Sequence, residues 1–210
     1  MLFDVDGVLV DSEERNGAVI RAVLAEAGVA VSERYDDLAG MQVAEMLHRI
    51  ADLEGLDGRA LVVRWRRAAL DAARHGHRLV EGAAATVAWL GRHGVLVGAV
   101  SSAEGWYVRT ICADVGIPPS APVVSGDDVR RGKPDPEPYR RGLQLSGFGP
   151  DRCIAVEDSA HGAQSAVSAG LRVVAFGAGA SRLADVTAAH ARDMPALRHE
   201  LSRLLEVPPT

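Results

Sequence analysis

The stretch Val95-Leu-Val-Gly-Ala-Val100 is apolar at every position except one glycine, so neither of its faces can be turned to water. Four more short runs read the same way: Leu2–Val5, Val123–Ser125, Cys153–Val156 and Arg172–Phe176. Helical patterns lie between them. Strands that are apolar on both sides and alternate with helices predict a parallel sheet covered on both faces, an α/β fold of Rossmann-like type. Such a sheet places its ligand crevice at the carboxyl ends of its strands. The residues just past each run are therefore the ones to read for chemistry.

Roughly ninety residues separate the first two runs, and they contain no convincing strand. A single crossover needs far fewer, so an inserted unit is expected. Val19, Ile20, Val23, Leu24 and Ala27 recur at helical spacing, and Gly28 suits the helix stop. Further helices are expected over Val43–Leu53 and Arg59–Arg74. These three make an α-helical cap domain over residues 13–79, inserted into a discontinuous core formed by residues 1–12 and 80–210.

Within 210 residues there is room for one substantial core with a smaller appended unit. A net charge of -5 speaks against nucleic acid, which favours a basic face, and Arg64-Trp65-Arg66-Arg67 reads as a solvated helix face. No apolar run is long enough to span a bilayer, and Asp4 and Asp6 interrupt the first apolar residues where a signal segment would need them continuous. Cys112 and Cys153 sit among apolar neighbours and read as buried reduced thiols. A cytoplasmic, monomeric protein is the expectation.

Polar groups cluster at four strand ends. The first run delivers Asp4 and Asp6, one able to attack phosphorus or hold a metal, the other to handle a proton. The second ends in Ser101-Ser102, whose hydroxyl and amides suit a phosphate where a helix follows. After the third, Gly132-Lys-Pro-Asp-Pro-Glu-Pro-Tyr139 has three prolines in five residues, a rigid turn that projects Lys133. The fourth ends in Glu157-Asp158-Ser159, and adjacent acids leaving an apolar strand call for a cation such as magnesium. Each has a plainer reading: solvated loop acids, a helix cap at Ser102 or Asp158 or Ser159, a surface lysine. Together they are hard to read as four coincidences. His161 reads as a helix-start residue.

Together these residues resemble the haloacid dehalogenase-like hydrolases. The motif Asp-x-Asp-Gly-x-x-x-Asp is matched by Asp4, Asp6, Gly7 and Asp11, followed in order by Ser101, Lys133 and the pair Glu157-Asp158. The wording Gly-Lys-Pro-Asp-Pro, then Val-Glu-Asp-Ser-x-x-Gly, is similar to the branch holding β-phosphoglucomutase and phosphoglycolate phosphatase, in which a helical cap is inserted between the first and second motifs. The resemblance implies a phosphatase of a small phosphomonoester, sugar-like in character. Asp4 would be the nucleophile forming an aspartyl-phosphate, and Asp6 the acid that then activates water. Magnesium would be held by Asp4, the Asp6 carbonyl and Asp158, with Glu157 close by. Ser101, the Ser102 amide and Lys133 would hold the phosphoryl group.

The same resemblance bears on the alternatives. Where the mutase has a cap histidine this chain has Asn16, and its one lysine is already claimed by the third motif, so both a mutase and a Schiff-base phosphonate hydrolase fit less well. A non-catalytic phosphate or magnesium module is disfavoured by the intact pair Asp4 and Asp6. Asn16, Gly40 and Gln42 match pocket-facing cap positions in relatives and are candidates for substrate contact; plain helix and loop packing stays open for all three.

Overall fold

The computed structural model describes residues 1–31, 35, 43–74, 76–178, 180–183, 185 and 187–208. In chain order the elements are β1 (Leu2–Phe3), β2 (Val10–Asp11), α1 (Glu13–Glu26), α2 (Val43–Glu54), α3 (Gly58–Arg74), β3 (Arg78–Leu79), α4 (Ala83–Arg92) and β4 (Gly98–Val100). They continue with α5 (Gly105–Asp114), β5 (Val123–Val124), α6 (Glu137–Ser146), β6 (Ile154–Glu157), α7 (Ala160–Ser168), β7 (Arg172–Phe176), β8 (Ala189–Ala191) and α8 (Met194–Leu205).

Six strands form one sheet in the order β5-β4-β1-β6-β7-β8, every pair parallel. The chain runs outward from β1 to β4 and β5, then resumes on the other side at β6. The order therefore reverses at β1, where an open α/β sheet leaves a crevice at its carboxyl edge. Helices α6 and α7 pack against each other and on β4 to β7, and α4 packs on α8. Small residues allow this close approach. Ala155, Ala163 and Ala166 share one buried cluster with Leu2, Val100 and Tyr139. Gly142 of α6 leaves no room for a side chain, since a methyl there would stand 2.9 Å from Leu2.

Within this sheet the largest departures from the sequence expectation are at β4 and β8. The β4 strand begins at Gly98 and not Val95: the ladder to β1 pairs Leu2 with Gly98, and the Gly98 N–H donates to the Met1 carbonyl at 2.9 Å. The last, β8, had not been expected at all. Ala189-His190-Ala191 is a short edge strand without an apolar run, and its pairing to β7 defines it.

By contacts the chain divides into two compact units, Met1–Asp11 with Arg78–Thr210, and Ser12–His77. A two-stranded antiparallel ribbon, β2 with β3, draws Arg78 and Leu79, the last two residues of the expected insertion, into the first unit. Asp11 and Arg78 face each other across that ribbon and form an ion pair. The second unit holds α1, α2 and α3, the first two both packed on α3, around Val23, Leu24, Leu47, Ile50 and Leu61. Its helices follow the sequence pattern closely, and Gly28, at φ +80°, follows α1 as the stop requires. Cys112 and Cys153 are buried free thiols. Among the described residues no helix is long and apolar enough to cross a membrane.

A methyl group on Gly98 would stand 2.2 Å from the carbonyl oxygen of Pro122, backbone that cannot move without breaking the β4–β5 pairing. Gly98→Ala is therefore expected to destabilise the first unit by about 3 kcal/mol. Chemical denaturation would check this, and an unchanged midpoint would mean that the sheet yields more easily than its packing implies.

Candidate active site

The nucleophile candidate comes first in the chain. The Asp4 N–H donates to the Val156 carbonyl at 2.9 Å, carrying the β1–β6 ladder one residue past the strand. This fixes Asp4 at the carboxyl edge of the sheet, with 7% of its surface exposed. A tight turn follows, in which the N–H groups of Leu9 and Val10 both donate to the Val5 carbonyl. Within it Gly7 adopts φ +75°. A methyl at Gly7 would lie 1.8 Å from Asp158 Oδ2, so both the turn and the close approach require glycine.

Lys133 arrives from a loop tied down on every side. Glu137 accepts from the N–H groups of Arg130 at 2.9 Å and Arg131 at 3.1 Å. The first of these bonds holds the Glu137 carboxyl below its ordinary range. The Ser165 hydroxyl donates to the Asp135 carbonyl at 2.6 Å. From this frame the ammonium donates to Asp4 Oδ1 at 2.9 Å, Glu157 Oε1 at 2.5 Å and the Val100 carbonyl at 3.0 Å. Three donors meet three acceptors, which is the full capacity of an ammonium. Burial opposes its charge, but the two carboxylates outweigh burial and raise its pKa.

The acid pair splits in direction. Successive residues at a strand end point to opposite sides. Glu157 turns inward with no exposed surface, and its Oε1 accepts a second short bond, from the Tyr139 hydroxyl at 2.6 Å. Gly162 makes this possible, since a methyl there would lie 1.9 Å from Glu157 Oε2. Asp158 turns outward against Gly7 and is half-buried. The helix cap belongs to Ser159, whose Oγ accepts from Gly162 N–H at 3.1 Å, so Asp158 is not spent on capping. Ala160 begins α7, and His161 is its second residue.

Carboxylate oxygens of Asp4, Glu157 and Asp158 all lie within 4.8 Å of one another. Burial first, then the charge of Asp4, pushes Glu157 up to about 7 against the pull of Lys133 and Tyr139. Burial, Asp4 and then Glu157 push Asp158 up to about 8. One lysine does not neutralise this group, and the surplus negative charge awaits a second cation. An all-oxygen, carboxylate-rich donor set fits a hard divalent ion such as magnesium. Since Glu157 Oε1 is already engaged twice, Asp4 and Asp158 are the residues best placed to hold one.

Ser101 follows β4 directly, next to β1 in the sheet, and is 3% exposed. Its Oγ accepts from the Ala103 N–H at 3.0 Å, shaping the turn that leads to α5. Ser102 is exposed on that turn. Asp6 is partly exposed, and its Oδ1 accepts from the Tyr107 hydroxyl at 3.4 Å. Asn16 lies on α1 of the second unit, partly exposed. Gly40 and Gln42 lie outside the described residues. Sequence reading missed Tyr139 and Tyr107. Each is one aromatic residue near a helix start, and the only available signal was its nearness to the Lys133 and Ser101 turns.

The family model described as haloacid dehalogenase-like hydrolase matches residues 1–176. Hexitol phosphatase A of Escherichia coli strain K12 is 29% identical over 190 residues, covering 84% of this chain and 82% of its own. Phosphoglycolate phosphatase of Rhodospirillum rubrum is 28% identical over 194 residues, covering 87% and 80%. A hydrolase from Deinococcus radiodurans R1, solved with bound phosphate and sodium, superposes with a TM-score of 0.77 at 26% identity over 100% of this chain and 97% of its own.

The charge balance is open to direct test. Lys133→Ala leaves buried Glu157 and Asp4 without their shared cation, and is expected to cost about 3–5 kcal/mol near neutral pH. Glu157 titrates from about 7 already with the lysine present, and loses an opposing charge without it. A carboxyl whose folded pKa is raised costs stability as pH rises, so the deficit should shrink on acidification below about pH 6. Denaturant melts at both pH values read this. A deficit that stays constant would mean the lysine is held by packing and not by charge.

Proposed function

The chain belongs to the haloacid dehalogenase-like hydrolases, and we propose that it is a magnesium-dependent phosphatase of small phosphomonoesters, sugar-like in character, working through an aspartyl-phosphate. The observation that carries this reading is the joint placement of Asp4, Asp158 and Lys133 at one strand edge. Phosphoryl transfer mainly requires alignment and charge stabilisation, and these groups supply both. The named relatives add support, being phosphatases of hexitol phosphate and phosphoglycolate type that match over most of both chains.

In this reading the Asp4 carboxylate attacks phosphorus. Its hydrogen bond from Lys133 holds the carboxyl in one rotation and offsets charge as the phosphoryl group arrives. Asp6 gives its proton to the departing oxygen, and the alcohol leaves. The Asp6 carboxylate then takes a proton from water as that water attacks the aspartyl-phosphate. Inorganic phosphate departs and Asp4 is restored. Ser101 and the Ser102 amide would hold phosphoryl oxygens at the head of α5. Asp4, the Asp6 carbonyl and Asp158 would hold magnesium, which when bound offsets phosphoryl charge and relieves the carboxylates' mutual repulsion. Glu157 serves from behind, through Lys133. Among substrates, a small phosphorylated metabolite is the proposed class, with the chain acting as a cytoplasmic monomer.

Asp4→Asn keeps the size of the side chain and removes the nucleophile. It is expected to lower turnover of p-nitrophenyl phosphate by at least roughly a thousandfold while the protein still melts cooperatively. Activity within tenfold of the parent would sink the nucleophile assignment.

Magnesium should stabilise the protein more at alkaline pH. Asp158 titrates near about 8 and Glu157 near about 7, so protons compete with the ion below those values. Without the ion these raised pKa values make the folded protein lose stability as pH climbs from the unfolded value of about 4. Saturation about 100-fold above Kd supplies about 2.7 kcal/mol, equivalent to a melting shift of roughly 5–10 °C. That shift is expected at about pH 8.5 and should be several-fold smaller at about pH 6. Equal shifts at the two pH values would contradict a carboxylate-held ion.

A further inference from the structure

Tyr107 stands out among the buried polar groups that the proposed reaction leaves without a task. It is 3% exposed, and its hydroxyl reaches Asp6 Oδ1 across 101 positions of sequence. We propose that Tyr107 is a positioning residue for proton transfer: its hydroxyl fixes the rotation of the Asp6 carboxyl and so decides which oxygen exchanges the proton. This rests on the acid–base role given to Asp6 above.

The position of Tyr107 is over-determined by its surroundings. Its helix, α5, begins two residues earlier at Gly105, whose N–H donates to Asp127 Oδ2 at 2.8 Å. The turn before it is held by the Gly126 N–H donating to the Ala103 carbonyl at 2.8 Å. A methyl on Gly126 would lie 2.5 Å from the Ser102 carbonyl oxygen, so this turn and the segment after β5 are in backbone contact. The neighbouring Trp106 stacks edge-on to Tyr107, with centroids 5.8 Å apart, and donates to Glu104 Oε2 at 2.8 Å. The phenol is thus carried on a clamped helix start, not on a mobile loop.

Asp6 lies in the turn after β1, its backbone bridging to Val10, and the orientation of its carboxyl about χ1 and χ2 is set by the groups that carboxyl meets, the Tyr107 hydroxyl among them. A general acid must meet the leaving oxygen in one orientation, and a displacement of about 1 Å can cost roughly a hundredfold. The bond is long at 3.4 Å, as such bonds often are before substrate arrives. With Oδ1 accepting from the phenol, the proton passes through Oδ2: first to the departing alcohol oxygen, then back from the attacking water.

The test is Tyr107→Phe, which keeps the ring and removes only the hydroxyl. Two substrates are compared in the intact protein with magnesium. A sugar or other alkyl phosphate has a leaving group that needs a proton, whereas p-nitrophenolate departs without one. The variant is expected to lose roughly 10- to 100-fold in kcat/KM on the alkyl phosphate and several-fold less on the aryl phosphate. Binding of inorganic phosphate and the melting temperature should be unchanged. Equal losses on both substrates, no loss on either, or a markedly lower melting temperature would overturn the assignment, because each gives the hydroxyl a different task or none. Failure of the parent protein to hydrolyse either phosphate is a separate result, and it strikes the proposed function itself.

Discussion

Everything at the carboxyl edge of the sheet depends on one ammonium group. Lys133 is the only lysine in the chain, and it joins β1, β4 and β6 by donating to Asp4, to the Val100 carbonyl and to Glu157. Withdrawn from water, two carboxylates this close would repel each other strongly. The lysine makes their proximity tolerable, and its own frame has to be rigid for that. Hence the loop is tied by Glu137 to two backbone N–H groups and by Ser165 to the Asp135 carbonyl. An arginine here would be a poor substitute, since its planar fork cannot send three hydrogens in three directions. With acidic side chains still in excess, the site is left short of positive charge. That deficit lowers the stability of the protein without an added cation; in the proposed function it is what would draw in a cation, and that cation would in turn offset the charge of an arriving phosphoryl group.

The adjacent acids Glu157 and Asp158 look equivalent in the sequence and are not. Strand alternation sends one inward and one outward, and a glycine makes room for each: Gly162 behind Glu157, Gly7 in front of Asp158. The inward acid is saturated by Lys133 and Tyr139, so it acts on the site through the lysine it holds. The outward one keeps its oxygens for a ligand. Two neighbouring carboxylates therefore take different jobs because the backbone under them fixes opposite environments.

Much of this was legible before any coordinates. Asp4, Ser101, Lys133, Glu157 and Asp158 each follow an apolar run or head a proline-fixed turn, and a parallel sheet brings such positions to one edge whatever the details of packing. The helices of the inserted unit were legible because their apolar spacing is regular. Less legible were features that depend on a partner. Strand β8 exists because β7 offers an edge, and β4 starts at Gly98, where its ladder to Leu2 of β1 begins. Tyr139 and Tyr107 lie on helices, where an aromatic residue reads first as core. Both are indeed buried, and only the placement of their hydroxyls distinguishes them from packing.

Those two hydroxyls share a physical logic. Each donates to a carboxylate of the site, Tyr139 to Glu157 and Tyr107 to Asp6. A phenol fixes a carboxylate without bringing charge, whereas an arginine or a second lysine would fix it and also cancel its field. Among the described residues, Asp4 and Glu157 have Lys133 as their ion-pair partner, and no arginine is paired with Asp158. At Glu157 a neutral phenol thus supplies orientation, one lysine supplies the charge that burial demands, and the remaining negative potential is kept for whatever cation enters. A site built this way can be rigid and electrostatically hungry at once. Trading either tyrosine for a charged donor would trade that potential away, even with every hydrogen bond preserved.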